Sequence, residues 1–343
     1  MKAIAYYQSL PIDHPEALLD IALAAPTPGP HDLLVEVKAI SVNPVDTKIR
    51  RNVAPANGEA KVLGWDVAGV VVAVGDEVRH FRAGDQVFYA GALDRPGANS
   101  ELHVVDERLV GRMPGSLDFA RAAALPLTAI TAWELLFERL QIAENHRHDG
   151  NPNNAQQTLL IVGAAGGVGS ILVQLARQLT GATVIGTASR PETQAWVREL
   201  GAHHVIDHSQ PLAAELARIG IPQVTHVASL TNTDQHFEQL VEALAPQGKL
   251  GLIDDPAQLD VVKLKRKSLS LHWEFMYTRS LFQTEDMSEQ HRLLNRVSQL
   301  IDDGVLKTTL GEHYGSINAA NLRRAHAQLE SGTSRGKIVL EGF

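Results

Sequence analysis

The chain has 343 residues and no cysteine, which rules out disulfides, thiolate nucleophiles and every zinc site that uses a cysteine ligand. It has no excess of basic charge either, since 31 lysines and arginines face 39 aspartates and glutamates, for a formal net charge of −8. General nucleic-acid binding needs concentrated Lys and Arg against phosphate, so that class is disfavoured. The one basic cluster, "KLKRK" at 263–267, reads as a solvated turn before a strand. No segment approaches the roughly 18 uninterrupted apolar residues of a membrane span, and "MKAIAYYQSLPIDHPEALLD" lacks the apolar core of a signal peptide. The expected location is the cytoplasm. Repeats and low-complexity tracts are absent. What remains is 44% hydrophobic and 20% charged, the composition of a globular protein long enough for two domains.

The first part of the chain reads as β-rich. Short runs such as "LLVEVKAISV" (33–42), "VAGVVVAVG" (67–75) and "FRAGDQVFYA" (81–90) are separated by Gly, Pro and Asp turns. From Thr158 the rhythm changes. "TLLIV", "ATVIGTA", "HVID", "QVTHVASL", "GKLGLI" and "SLSLHWEF" alternate with helical patterns, as right-handed βαβ units on a parallel sheet require. Between the two halves, "AENHRHDGNPNNAQQ" (143–157) reads as a surface loop, with His146 and His148 as weak metal candidates. After residue 280 come a helix near 287–303, the segment "TTLGEHYG", a helix through "AANLRRAHAQLESG" and a terminal strand "GKIVLEGF".

The most informative stretch is "TLLIVGAAGGVGSILVQLAR" (158–177), a strand, a bare turn and an amphipathic helix. In a βαβ unit, phosphates sit where the first helix presents unpaired N–H groups and the positive end of its dipole, and side chains would block the approach. Here Gly163, Ala164, Ala165, Gly166, Gly167, Val168 and Gly169 form the turn, while Val168, Ile171, Leu172, Leu175, Ala176 and Leu179 supply the stripe that packs the helix. The pattern is A-x-G-x-x-G from Ala164, so it departs from the dinucleotide fingerprint at its first glycine. A tight turn that binds nothing is the alternative. About 20 residues further on, an NAD-selective site places an acid on the ribose 2′-hydroxyl. This chain has Ser189 and Arg190 there, which suit a 2′-phosphate and favour NADPH over NADH.

"SVNPVDTKIR", "LGWDVAGVVVAVGDEV", "FRAGDQVF", "AAALPLTAITAWELL" and "ASRPETQAWVRELGAHHVIDH" together resemble the quinone oxidoreductase (ζ-crystallin-like) branch of the medium-chain dehydrogenase/reductase superfamily, whose members include chains labelled zinc-type alcohol dehydrogenase-like. The resemblance runs along essentially the whole chain. It implies an α/β fold, a Rossmann doubly wound parallel sheet plus a β-rich GroES-like catalytic domain. The expected division is a GroES-like domain over 1–126, a Rossmann NADPH-binding domain over 127–280 and a C-terminal return over 281–343. It also carries over His208, Leu230 and Ile253 as cofactor neighbours, Thr128 as a residue beside the nicotinamide, and Asn43 as a polar contact in the site. A homodimer through residues 268–275 follows from the same resemblance.

Zinc enzymes of this superfamily carry ligands where this chain has Asn43, Trp65 and Ala124, and "YAGALDRPGANSELHVVDE" lacks the four cysteines of a structural zinc lobe. No metal is therefore expected, and Asp46 and Asp66 read as turn-capping carboxylates. Without a Lewis acid the natural substrate is an acceptor that is already electrophilic, a quinone or an α,β-unsaturated carbonyl, reduced by hydride from NADPH. Lys48 stands where some bacterial relatives have a tyrosine hydroxyl, and is a candidate for binding a developing oxyanion. Trp65, Tyr89, Trp133, Phe275 and Tyr277 read as core first and as pocket lining second. An alcohol dehydrogenase or enoyl-thioester reductase on the same fold is the alternative within enzymes. A sensor, a crystallin-like protein or an RNA binder without turnover is the alternative outside them.

Overall fold

The computed structural model describes residues 1–144 and 157–343, so His146 and His148 lie outside the described residues. The chain divides into two compact units, Met1–Ile130 with Tyr277–Phe343, and Thr131–Met276. The first division falls inside a helix and leaves Thr128 with the first unit.

The chain opens with β1 (Lys2–Tyr6), β2 (Leu19–Ala22), β3 (Asp32–Val42), α1 (Pro44–Asn52), β4 (Lys61–Val62), β5 (Val67–Val74), β6 (Gln86–Tyr89), β7 (Leu102–Asp106), β8 (Val110–Arg112), α2 (Phe119–Ala123) and α3 (Pro126–Trp133). β3 is the axis of this unit. Its buried residues alternate through Leu33–Ala39 and become continuous from Ala39 to Val42, where both faces are covered. Pro44 ends the strand and, with φ preset for a helix, opens α1.

The second unit contains β9 (Thr158–Val162), α4 (Gly167–Leu179), β10 (Thr183–Thr187), α5 (Pro191–Glu199), β11 (His204–Ile206), α6 (Leu212–Arg218), β12 (Val224–Ser229), α7 (Thr233–Ala243), β13 (Leu244–Leu252) and β14 (Ser270–Trp273). Its six strands are all parallel, in the order β11-β10-β9-β12-β13-β14, which is the doubly wound arrangement expected from the alternating sequence. The core joins Leu160, Val162 and Ile185 from the strands to Leu216, Phe237 and Leu240 from the helices. Each such side chain contributes about 1.5–3 kcal/mol when fully buried.

The basic cluster corrects one expectation. Val261–Lys267 is a 3₁₀ helix rather than a solvated turn. Leu264 is buried, and Lys267 Nζ donates to the carbonyl oxygens of Val241, Glu242 and Leu244 at 3.0, 2.8 and 2.7 Å. It therefore satisfies carbonyls that α7 leaves open at its C-terminus.

The return adds α8 (Thr278–Phe282), α9 (Glu289–Asp302), β15 (Leu310–His313), α10 (Ala319–Glu330) and β16 (Lys337–Glu341) to the first unit. β16 lies antiparallel to β3, with Ile338 opposite Val42, and completes a seven-stranded sheet in the order β15-β16-β3-β5-β6-β8, with β7 also paired to β3. A smaller sheet has the order β2-β1-β4. Among the described residues no helix is long and apolar enough to cross a membrane.

Candidate functional site

In the second unit the candidate cofactor residues follow the carboxyl ends of the parallel strands. Gly163 follows β9, Ser189 and Arg190 follow β10, His208 follows β11, Leu230 follows β12 and Ile253 follows β13. Open α/β sheets bind ligands at this edge.

The turn is built as its sequence suggests. Gly163 has φ +79°, a left-handed conformation that favours glycine. A Cβ on Gly169 would stand 2.4 Å from Gly163 O and 2.6 Å from Ala164 Cα, so only glycine lets α4 start this close to β9. Gly166 is the N-cap of α4, and a Cβ there would meet nothing nearer than Gly163 O at 3.5 Å. The approach to the helix N-terminus is therefore bare, and Gly167, Val168 and Gly169 fill its first turn. A nucleotide phosphate fits such a cradle.

Thr187 links this turn to His208. Its hydroxyl accepts from the Gly163 N–H at 3.2 Å and lies 3.2 Å from His208 Nδ1. Burial first, then the neighbouring His236, holds the His208 pKa below the ordinary imidazole value. Ser189 is exposed, whereas Arg190 Nε lies 3.4 Å from Glu192 Oε1, so a 2′-phosphate would compete with a carboxylate for the guanidinium.

In the first unit Asn43 is the N-cap of α1, and its backbone N–H donates to Asp46 Oδ2 at 2.7 Å. Its amide is only 1% exposed. Nδ2 donates to Asp66 Oδ2 at 2.8 Å, and Oδ1 accepts from Lys337 Nζ. Asp66 also accepts from Ser41 Oγ at 2.9 Å, from Lys337 Nζ at 2.9 Å and, through Oδ1, from the Leu127 N–H at 2.7 Å. Lys337 was not singled out from the sequence. The register explains its position, because Ile338 opposite Val42 puts Lys337 beside Asn43, while Ile40 opposite Val67 puts Ser41 beside Asp66. The sequence signal was a lysine heading the strand "KIVLE", whose next three residues are all buried.

Asp46 is fully buried, and burial pushes its carboxyl up to about 7 against the Asn43 N–H and the Lys337 charge. Thr128 is buried, and its hydroxyl donates to Leu125 O at 3.1 Å. Lys48 lies half-buried on α1. Trp65, Tyr89 and Tyr277 are buried in the first unit. In the second, Trp133 packs edge-on against Phe137 and Phe275 is 49% exposed.

The chemistry of the donor set does not fit zinc. At the three expected ligand positions, Asn43 is engaged as described, Trp65 Nε1 donates to Ala92 O at 3.1 Å, and Ala124 offers no side-chain donor. In the segment where a structural zinc lobe would lie, His103 uses both ring nitrogens, Nε2 on Pro96 O at 3.0 Å and Nδ1 on the Tyr89 hydroxyl at 2.9 Å. A carbonyl only accepts, so Nε2 carries the proton and Nδ1 accepts from Tyr89. Burial lowers the pKa of this histidine to about 4. Among the described residues no three His, Asp or Glu side chains converge as a metal centre would need.

A β-rich unit and a doubly wound nucleotide-type sheet define a class of two-domain dehydrogenases and reductases, and the comparisons agree. The chain matches the family models for the alcohol dehydrogenase GroES-like domain over residues 29–121 and for zinc-binding dehydrogenase over 200–340. A zinc-type alcohol dehydrogenase-like protein of Staphylococcus epidermidis is 36% identical over 341 residues, covering 99% of both chains. A crystal structure from Rhizobium etli, assigned provisionally as a zinc-dependent alcohol dehydrogenase, is 57% identical with a TM-score of 0.94, covering 100% of this chain and 98% of that one. The Escherichia coli quinone oxidoreductase complexed with NADPH is 27% identical with a TM-score of 0.81, covering 99% and 100%. This protein belongs to the medium-chain dehydrogenase/reductase superfamily and is one of its oxidoreductases.

Proposed function

We propose that this oxidoreductase works without metal and uses NADPH to reduce a quinone or an α,β-unsaturated carbonyl. The observation that carries the reading is the buried set Asn43, Asp66 and Lys337, which spends on internal hydrogen bonds the groups nearest the expected zinc ligands. Without a Lewis acid nothing draws charge from an alcohol oxygen, so the acceptor supplies its own electrophilicity.

Bound NADPH supplies the hydride, and with a proton from water the quinone becomes a hydroquinone. The protein's own residues hold and discriminate. Gly163–Gly169 with the start of α4 hold the pyrophosphate, Ser189 and Arg190 hold the 2′-phosphate, and Leu230 and Ile253 border the dinucleotide. In this reading Asn43, Lys48 and Thr128 belong to the reaction centre. Lys48 orients the acceptor oxygen, Asn43 offers it only the Nδ2 hydrogen that Asp66 does not take, and Thr128 flanks the nicotinamide. The relative determined with NADPH supports the choice of cofactor.

The test is steady-state NADPH oxidation against a panel of quinones, enones and simple ketones, with alcohols and NADP⁺ in the reverse direction, before and after a strong chelator. Quinone or enone turnover is expected to dominate and to survive chelation unchanged. Faster ethanol oxidation, or loss of turnover with removal of stoichiometric zinc, would overturn the reading. Tight NADPH binding with no turnover of any acceptor would favour a sensor or structural role.

A further inference from the structure

Lys337 is 3% exposed, and its ammonium donates to Val42 O at 3.0 Å, to Asp66 Oδ2 at 2.9 Å and to Asn43 Oδ1. Three protons meet three acceptors. We propose that Lys337 is a positioning residue of the first unit, whose ammonium pairs with Asp66 and orients the Asn43 amide in the place where zinc enzymes of the superfamily carry their ligands. The proposal rests on the metal-independent reading above and deepens it by giving Lys337 a task within that set, the orientation of Asn43.

The orientation of Asn43 follows from donor and acceptor chemistry alone. An ammonium can only donate, so the amide turns Oδ1 towards Lys337; an ionised carboxylate can only accept, so Nδ2 faces Asp66. With both sides fixed, the reverse flip would put an N–H against the ammonium and a carbonyl against the carboxylate. One hydrogen of Nδ2 goes to Asp66 and the other points away from that bond.

Asp66 is equally committed. Ser41 Oγ, Asn43 Nδ2 and Lys337 Nζ converge on Oδ2, and the Leu127 N–H takes Oδ1. Four donors therefore reach two oxygens at 0% exposure. A divalent ion would have to displace the ammonium and at least one of these donors, and its remaining neighbours would be an amide and a second carboxylate, Asp46, whose Oδ2 already serves the Asn43 N–H. Zinc selects imidazole and thiolate over such a set. A buried charge left by removing its partner is strongly unfavourable, which makes the pair testable by variants.

Three measurements on the full-length enzyme decide the matter. Metal analysis of the purified protein should find no stoichiometric zinc. Lys337→Ala removes the atoms of propylammonium beyond Cβ, so added propylammonium should restore part of the lost thermal midpoint and of the lost kcat/KM for a quinone, while tetramethylammonium and 1-propanol should not. Lys337→Met should destabilise more than the double variant Lys337→Met/Asp66→Asn, because the second change removes the orphaned carboxylate. If Lys337→Ala does not fold, the comparison with the double variant still decides. One equivalent of zinc whose removal lowers both activity and thermal midpoint would sink the metal-independent reading and this inference together. A zinc-free enzyme in which the two losses simply add, or in which propylammonium does no more than its controls, would sink the role of Lys337 alone.

Discussion

At Arg190 the guanidinium already has a carboxylate partner, Glu192, in an ion pair where the two side chains are 40% and 56% exposed. Bringing in a 2′-phosphate exchanges one anion for another of higher charge. Arg190→Ala should weaken NADPH by about tenfold, the lower end for a charge-assisted contact because solvent screens the site, and leave NADH nearly unchanged. Equal losses measured by fluorescence titration would end the assignment. Two buried groups in the first unit give opposite pH signatures. His326 is fully buried with neither ring nitrogen hydrogen-bonded, and burial, assisted by the Arg50 charge, lowers its pKa to about 3. The unfolded chain therefore takes up a proton that the folded one refuses, and this contribution, complete above pH 6.5, is lost as pH falls towards 3. Asp46 runs the other way. Raised from 3.8 to about 7, it stabilises the fold most at low pH, and that contribution is lost as pH rises from about 4 to 7. Urea midpoints from pH 4 to 8 should show His326→Leu removing the acid-side loss. Asp46→Asn should gain on the parent as pH rises to 7 and level off beyond it. Each slope reaches at most about 1.4 kcal/mol per pH unit. Parallel curves for parent and variant would refute either assignment.

Among the elements, the first helix of the parallel sheet is the one whose start leaves least freedom. Because a Cβ at Gly169 would collide with the backbone of Gly163 and Ala164, Gly169→Ala must push α4 away from β9. NADPH and NADH should then weaken together, in contrast to Arg190→Ala, and unchanged affinity for both would show that the helix start does not hold the pyrophosphate. This element was legible because its requirements are local: an apolar strand, bare turn positions and a 3.6-residue stripe. Ile171, Leu172, Leu175, Ala176 and Leu179 are buried as the stripe demands, while Val168, at the helix start, stays half-buried. The basic run at Val261–Lys267 was not legible, because its role depends on carbonyls at the end of α7, Val241, Glu242 and Leu244, which come within reach of Lys267 only once the chain folds. Lys337 was hidden for the same reason. A lysine at a strand start reads as solvated until the antiparallel register with β3 brings Asn43 and Asp66 to it. Asn43 itself was found through resemblance, yet its amide points into this buried set, which no periodicity could have revealed.

On the scale of the whole molecule, the parallel sheet of the second unit ends in a strand with one neighbour. Among the described residues β14 pairs only with β13, so the backbone groups on its other side have no ladder partner. Trp273 and Phe275, on and just after this strand, are 51% and 49% exposed, and Val261 and Val262 of the same unit are exposed as well. An open apolar edge invites pairing with another chain unless something covers it. A twofold axis beside β14 would let two copies present the same edge to each other, antiparallel, and close the contact without further growth. The expectation is a homodimer, with light scattering at micromolar concentration giving twice the 37.2 kDa of one chain. Trp273→Glu with Phe275→Glu would bring like charges together across that axis and should yield the monomer with the fold intact by circular dichroism. A parent enzyme that scatters only as 37.2 kDa would refute the dimer, and a double variant that stays dimeric would place the interface on another surface.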